Sequence, residues 1–477
     1  MTMKKVQVAV VGIGSAGLYA LGQIRKSTKD FLVIDDGPLG TTCARVGCMP
    51  SKVLIQVAED YHRRAVLKRE GIAGGDELRV DSKAVLDHVR KLRDGFVGAI
   101  VPNIEALGNR LVRGSARFVG KNVIDVDGTR IEAERFVLAV GSRPVVPAAW
   151  QDLGNKIMTT DTLFEKAYWP RRIGVIGLGV IGLELGQALA RLGAEVIGVD
   201  VLNTVGGISD PVVGSCMTAL IAEEFPLWLG FPAELTAADD GVRIRAGERE
   251  STVDQVLVSL GRRSNLDRLD LSAAGITLDK RGMPAINPET MQIVGHPMFV
   301  AGDATGDRPV LHEAADEGRI AGYNAVAGVP VRIQRKPRFG ITFTDPTVAV
   351  VGEDWTTLAD RSDVVIGSRD FSSQSRAVAM GRNRGMLRLY GQKADGLLLG
   401  AAMAAPGGEH LAHLLAWAIQ DGKTVFHLLR NGFYHPVLEE GLQNALYDMA
   451  RQVDRRPQPF VELAPTPQPD ATCEGTS

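Results

Sequence analysis

One pattern constrains this chain more than any other, because it occurs twice. Residues 6–11 read VQVAVV, a buried-strand run, and GIGSAG follows with Gly12, Gly14 and Gly17; a helical stretch then leads to FLVIDD and Asp35. Further on, IGVI at 173–176 leads to GLGVIG, with Gly177, Gly179 and Gly182, then to LELGQALARLG and a strand ending at Asp200. All three glycines and the acid are displaced by the same 165 positions from their first-copy counterparts. The glycines permit a tight strand-to-helix turn and a close approach of pyrophosphate, which then faces the positive end of the helix. The acid falls where it can accept a hydrogen bond from a ribose hydroxyl. One such turn is weak evidence; two in matched register imply two dinucleotide sites. Two dinucleotides in one chain imply electron transfer between them, the first a flavin and the second a nicotinamide.

Three strand ends complete the pattern. FVLAVGSRP (136–144, with Gly141) closes the first unit, VLVSLGRRSN (256–265, with Gly261) closes the second, and MFVAGDATG (298–306) places Asp303 just beyond an apolar run. An acid there can hold a sugar-like hydroxyl chain. Alternating residues around Asp127-Gly128 predict a small β-meander inserted in the first unit. From about Arg338 the pattern changes. ITFTDPTVAVVGE and GMLRLYG…GLLLGAAMAA read as strands, GEHLAHLLAWAIQDG and VLEEGLQNALYDMARQ as helices. That is a separate α+β domain with no glycine fingerprint.

The length of 477 residues fits about three domains. A formal charge of −2 points to neither nucleic acid nor an anionic membrane, and no run is long and apolar enough to span a bilayer. Four cysteines make no secreted disulfide framework, so the reading is a cytoplasmic protein whose cysteine pair is catalytic or metal-binding rather than structural. That pair, Cys43 and Cys48, lies in GTTCARVGCMPSK, just after the first fingerprint. Zinc would need further ligands at recognisable spacing, and none is present; no metal is expected. A staple across so short a loop would stabilise little. In a regular helix, residues five apart have Cα atoms roughly 8–9 Å apart, whereas a disulfide needs less than about 7 Å. A Cys43–Cys48 bond therefore requires a distorted first turn, and strained bonds of this kind are the reducible ones.

Taken in order, these segments resemble the class I pyridine nucleotide–disulfide oxidoreductases, a family that includes dihydrolipoamide dehydrogenase, glutathione reductase and mercuric reductase. The family pattern GG-T-C-x4-C-x-P-S-K is matched with Thr41 in place of the second glycine. The resemblance runs from about residue 6 to 455 through both fingerprints, GRRSN, AGDAT, TDPTVAVVG and HP…EE. It implies an α/β fold of two Rossmann-like dinucleotide-binding domains, for FAD and NAD, plus a C-terminal α+β dimerisation domain. The expected division is 1–148 for FAD binding with the inserted meander, 149–268 for NAD binding and 269–336 completing the FAD part. Residues 337–462 form the dimerisation domain and 463–477 a flexible tail.

The resemblance also implies roles. Cys43 resembles the interchange thiol that meets substrate, and Cys48 the thiol that stacks against the flavin. Lys52, paired with Glu184, resembles the lysine near the flavin. Gly12, Gly14, Gly17, Asp35, Lys52, Gly141 and Asp303 would bind FAD, with Asp303 on the ribityl chain; Gly177, Gly179, Gly182, Asp200 and Gly261 would bind NAD. His435 and Glu440 resemble a catalytic dyad that serves the disulfide of the other subunit, which implies a homodimer. The usual H-x-H-P-T-x-S-E reads FYHPVLEE here, so Phe433, Val437 and Glu439 depart from it.

Within the family, the dihydrolipoyl dehydrogenases match best. Mercuric reductases carry a vicinal C-terminal cysteine pair, where this tail has only Cys473, and glutathione reductases place arginines after the second nucleotide strand, where this chain has none. The expected substrate is a small dithiol or a lipoyl domain, with membership of a 2-oxoacid dehydrogenase complex as a further implication. The alternatives are an NADH-dependent reductase of another small disulfide or metal ion, and a docking subunit with catalysis secondary. His410, His413, Cys216 and Cys473 read as packing, surface or incidental residues.

Overall fold

The computed structural model describes residues 3–457 and 461–463. The chain divides into two compact units. Of the described residues, the first comprises 3–203 and 224–335, the second 204–223, 336–457 and 461–463.

The first unit holds both copies of the fingerprint. Its larger sheet has seven strands. Lys4–Val11 lies parallel between Phe31–Asp35 and Thr129–Leu138, and Met298–Val300 adds in parallel beside the latter. The last four side chains of Lys4–Val11 and the first four of Phe31–Asp35 are buried. Such continuous apolar runs belong to parallel strands covered on both faces. Ala116–Gly120 and Val123–Val126 extend this sheet antiparallel from Thr129–Leu138. The turn joining the last two puts Asp127 at φ 46° and Gly128 at φ 88°, the left-handed pair a two-residue hairpin needs.

The second copy builds a five-stranded sheet, all parallel, with Arg172–Ile176 between Glu195–Asp200 and Gln255–Val258. A second meander, Glu234–Ala238, Gly241–Ala246 and Arg249–Val253, is inserted before its closing strand. Two short strands, Ser142–Pro144 and Arg262–Ser264, pair antiparallel just after the closing strands of the two folds.

The second unit is a five-stranded antiparallel sheet. It runs from Phe339–Thr342 through Thr347–Gly352, Leu398–Ala405 and Met386–Gln392 to Val364–Asp370. The helices Gly408–Gln420 and Glu439–Ala450 bury Leu411, Leu415, Leu442, Leu446 and Met449 in one core with Leu387, Leu389 and Met403. The segment 204–223 also belongs here. Asp210, fully buried, caps the helix Pro211–Ala222 and receives Arg388 at 2.8 Å and the Tyr390 hydroxyl at 2.6 Å. Burial, with Asp210 alongside, pushes the Tyr390 phenol up.

Candidate active site

The two fingerprints fold alike to the level of single hydrogen bonds. Gly12 and Gly177 have φ +95° and +89°, left-handed values that favour glycine. A Cβ on Gly17 would lie 2.0 Å from the Gly12 carbonyl, and one on Gly182 lies 1.9 Å from the Gly177 carbonyl. Gly14 and Gly179 each open a helix, Ser15–Ser27 and Val180–Arg191, with no side chain capping it. The first intrahelical bonds, from Leu18 and Leu183, leave the preceding amides without helical acceptors. Uncapped amides, a glycine turn and the positive helix end suit a pyrophosphate. The residues present therefore fit a dinucleotide at both positions.

The acids repeat as well. Asp35 Oδ2 accepts from Ile13 N–H at 2.9 Å and Oδ1 from Gly37 N–H at 3.1 Å. Asp200 Oδ2 accepts from Leu178 N–H at 2.6 Å and Oδ1 from Leu202 N–H at 2.9 Å. These donors are again 165 positions apart. Each carboxylate is fixed beside its glycine turn, with a lone pair left on each oxygen for a further donor. Burial pushes the Asp35 carboxyl up, against the two amides that draw it down.

Asp303 is the second residue of the short turn Gly302–Thr305, where Ser142 donates to its Oδ2 at 2.7 Å and Arg262 stands 3.8 Å away. Gly141 and Gly261 stand beside the paired strands Ser142–Pro144 and Arg262–Ser264, with φ 64° and 89°. The sequence reading missed the group that holds this turn. Glu317, buried, accepts from Gly302 N–H at 2.8 Å and from Arg335 at 2.8 Å, and Arg335 also reaches Glu313. Nothing in the sequence marks it, because the buried residues of that helix also include Glu313, Ile320 and Asn324.

The helix is interrupted between the two cysteines. Thr42–Val46 forms one helical turn, capped by the Thr41 hydroxyl, and Cys48–His62 forms the next helix. Gly47 separates them at φ −119°, ψ −118°. A Cβ there would crowd the Cys43 Cα at 3.2 Å and the Thr42 carbonyl at 3.1 Å. Both thiols are free, Cys43 half-buried and Cys48 exposed. The hydrogen bond from Cys43 and the Lys52 charge bring Cys48 down to about 7, against the opposing effect of burial. The same hydrogen bond and burial push Cys43 up. Lys52 Nζ pairs with Glu184 Oε2 at 2.7 Å, joining the cysteine helix to the second fingerprint helix.

In the second unit, His435 Nδ1 meets Glu440 Oε1 at 2.8 Å, and Glu440 Oε2 accepts from Val437 N–H at 3.1 Å. The bond from His435, then that from Val437, holds the Glu440 carboxyl below its ordinary value. His435 is exposed, while Phe433 packs on the domain core. His413 makes edge contacts with Phe339 and Trp417. Cys216 is half-buried, and burial pushes its thiol up. Among the described residues, no three or more His, Cys, Asp or Glu side chains form a metal cluster, and no helix is long and apolar enough to cross a membrane. Cys473 and residues 464–477 lie outside the described residues.

Residues 6–318 match the family described as pyridine nucleotide-disulphide oxidoreductase, and residues 339–446 match its dimerisation domain. A dihydrolipoyl dehydrogenase of Thermus scotoductus is 29% identical, over 94% of this chain and 98% of that protein. A mercuric reductase of Shigella flexneri is 30% identical, over 94% of this chain and 81% of that one. Among solved structures, LpdA of Mycobacterium tuberculosis superposes with a TM-score of 0.81 at 24% identity, over 93% of this chain and 99% of that one.

Proposed function

Because the chain belongs to the pyridine nucleotide-disulphide oxidoreductase family, we propose that it is an FAD-dependent dihydrolipoyl dehydrogenase, passing two electrons from a dihydrolipoyl dithiol through Cys43 and Cys48 to NAD+. The observation that carries this reading is the pair of thiols straddling the break at Gly47, with the Lys52–Glu184 ion pair one turn on. One substrate thiolate attacks Cys43 of the disulfide, the Cys43–Cys48 bond breaks, and Cys48 leaves as thiolate. The second substrate sulfur displaces Cys43, closing the lipoyl disulfide. The dithiol is oxidised, the protein disulfide reduced, and the substrate protons pass to His435, oriented by Glu440. FAD, held by the residues named next, would supply the two-electron carrier between the dithiol and NAD+.

In this reading residues 1–148 and 269–336 hold FAD through Gly12, Gly14, Gly17, Asp35, Gly141 and Asp303, with Lys52 near the flavin. Residues 149–268 hold NAD through Gly177, Gly179, Gly182, Asp200 and Gly261. Residues 337–462 dimerise, and each dyad serves the cysteine pair of the partner chain. The chain acts in the cytoplasm on a lipoyl domain, within a 2-oxoacid dehydrogenase complex.

A second reading, reduction of another small disulfide or of Hg2+ by NADH, is favoured by Phe433, Val437 and Glu439 in the dyad segment and by the mercuric reductase relatives. Turnover with dihydrolipoamide and NAD+, set against NADH oxidation by glutathione disulfide and by Hg2+, separates the two. The first reading expects dihydrolipoamide to lead by at least tenfold in kcat/KM; a lead by either other substrate selects the second.

A further inference from the structure

The dyad does not hold itself in place. Glu440 accepts from the backbone of Val437, and one buried side chain binds that same residue. Gln374, 3% exposed, donates from Nε2 to the Val437 carbonyl at 2.8 Å. Its Oε1 accepts from Ala377 N–H at 2.7 Å and so caps the helix Ser375–Met380. The Val437 N–H in turn donates to Glu440 Oε2, and Glu440 Oε1 takes the His435 ring at 2.8 Å. The path therefore runs from a buried carboxamide, through the carbonyl and then the N–H of one residue, Val437, to Glu440 and the imidazole.

The surroundings make Gln374 hard to replace. Both contacts come from backbone groups, one a donor and one an acceptor, and a carboxamide satisfies both in a single orientation. A glutamate keeps the cap but turns an oxygen toward the Val437 carbonyl. A methionine makes neither bond. The packing beside it is close: a Cβ on Gly441, in the first turn of the dyad helix, would stand 2.8 Å from the buried Phe371 ring and 3.6 Å from Gln374 Cγ. Glu440 is thus held by the Val437 N–H, and the Val437 carbonyl by Gln374.

We propose that Gln374 is a positioning residue for the dithiol half-reaction, acting through Val437 and Glu440 on His435. This rests on the reading of His435 as the base of that half-reaction. An imidazole displaced by even an ångström from its thiol loses much of its effect.

The test uses the FAD-loaded dimer and four proteins: wild type, Gln374→Glu, His435→Gln and the double variant. Rapid mixing follows reduction by dihydrolipoamide and, separately, by NADH. Gln374→Glu should slow the dithiol half by about tenfold and leave the NADH half within about twofold. On the His435→Gln background the same change should add less than about twofold, since two residues acting on one path are not additive. Gln374→Met, which carries no charge, should reproduce the kinetic loss, and it serves in place of Gln374→Glu if the charged side chain keeps the domain from folding. Equal slowing by Gln374→Glu in both backgrounds, or equal slowing of both half-reactions, overturns the proposal. Loss in His435→Gln with none in either Gln374 variant overturns it alone and leaves the base standing. No loss in His435→Gln instead removes the base.

Discussion

Lys52 and Glu184 meet at 2.7 Å, and they come from opposite copies of the duplicated fold: Lys52 from the helix of the cysteine pair, Glu184 from the second fingerprint helix. Glu184 is 4% exposed, and a carboxylate so placed is sustained by its partner. Lys52→Met removes that ion pair. Removing one member of a buried pair costs about 3–5 kcal/mol; because Lys52 still reaches solvent, about 2–3 kcal/mol is expected. Urea unfolding of the first unit, followed through release of bound flavin, should show a clearly lower midpoint. An unchanged midpoint would mean that the pair contributes nothing to holding the two folds together.

The matched glycines predict matched but separable defects. Gly17→Ala would drive a methyl onto the Gly12 carbonyl, and Gly182→Ala onto the Gly177 carbonyl. Gly17→Ala should purify with little or no flavin. Gly182→Ala should keep its flavin and lose affinity for NADH by at least ~100-fold, as an overpacking cost of roughly 3 kcal/mol implies. Flavin absorbance and NADH titration read the two. Flavin loss in both variants alike would dissociate the second fingerprint from nicotinamide binding.

Much of this was legible because the fingerprint is a local device. Strand, glycine turn, helix and acid lie within about thirty residues, so their spacing survives in the sequence, and Asp35 and Asp200 take equivalent hydrogen bonds as that spacing implies. The meander Glu234–Val253 went unread although VRIRAGERESTV alternates as clearly as the first one. Val364–Asp370, an edge strand, also escaped: VVIGSRD is short and half polar, and only its pairing with Met386–Gln392 makes it a strand. Gln374 and Glu317 could not be found by pattern. Their partners, Val437 and Gly302, are backbone groups brought near by tertiary packing.

The cofactor preference follows from Asp200. Its carboxylate is pinned by Leu178 and Leu202 amides, and no lysine or arginine occurs from Glu195 through Val242. A 2′-phosphate would meet that negative charge with no cation from this stretch to offset it. NAD should exceed NADP by at least ~100-fold in kcat/KM, a difference of about 2.7 kcal/mol. Steady-state kinetics with both cofactors checks it, and comparable efficiencies would remove Asp200 as the discriminator.

His435→Gln should slow reduction by dihydrolipoamide by at least ~100-fold, the scale of general acid–base catalysis, and reduction by NADH far less. The dyad also has an acid limit. Because the Glu440 carboxyl lies below its ordinary value, its grip on the ring persists through the usual carboxylate range and fails only as pH falls through that depressed value. Glu440→Gln should abolish that limit and slow the dithiol half at every pH. Equal slowing of both half-reactions would indicate damaged folding or dimerisation.

In the proposed reaction Cys43 and Cys48 form the working disulfide, with Cys48 as the thiolate of the reduced protein. The most direct measurement is the long-wavelength absorption of the two-electron-reduced, FAD-loaded dimer, recorded against pH for wild type, Cys43→Ser and Cys48→Ser. With Cys48 drawn down to about 7, the wild-type band should stand above pH 7 and fade as pH falls through about 7, since only the thiolate donates to the flavin. Cys43→Ser should keep a band and lose lipoamide turnover; Cys48→Ser should lose both. A full band in Cys48→Ser, or full lipoamide turnover in either variant, would contradict these roles for the two cysteines.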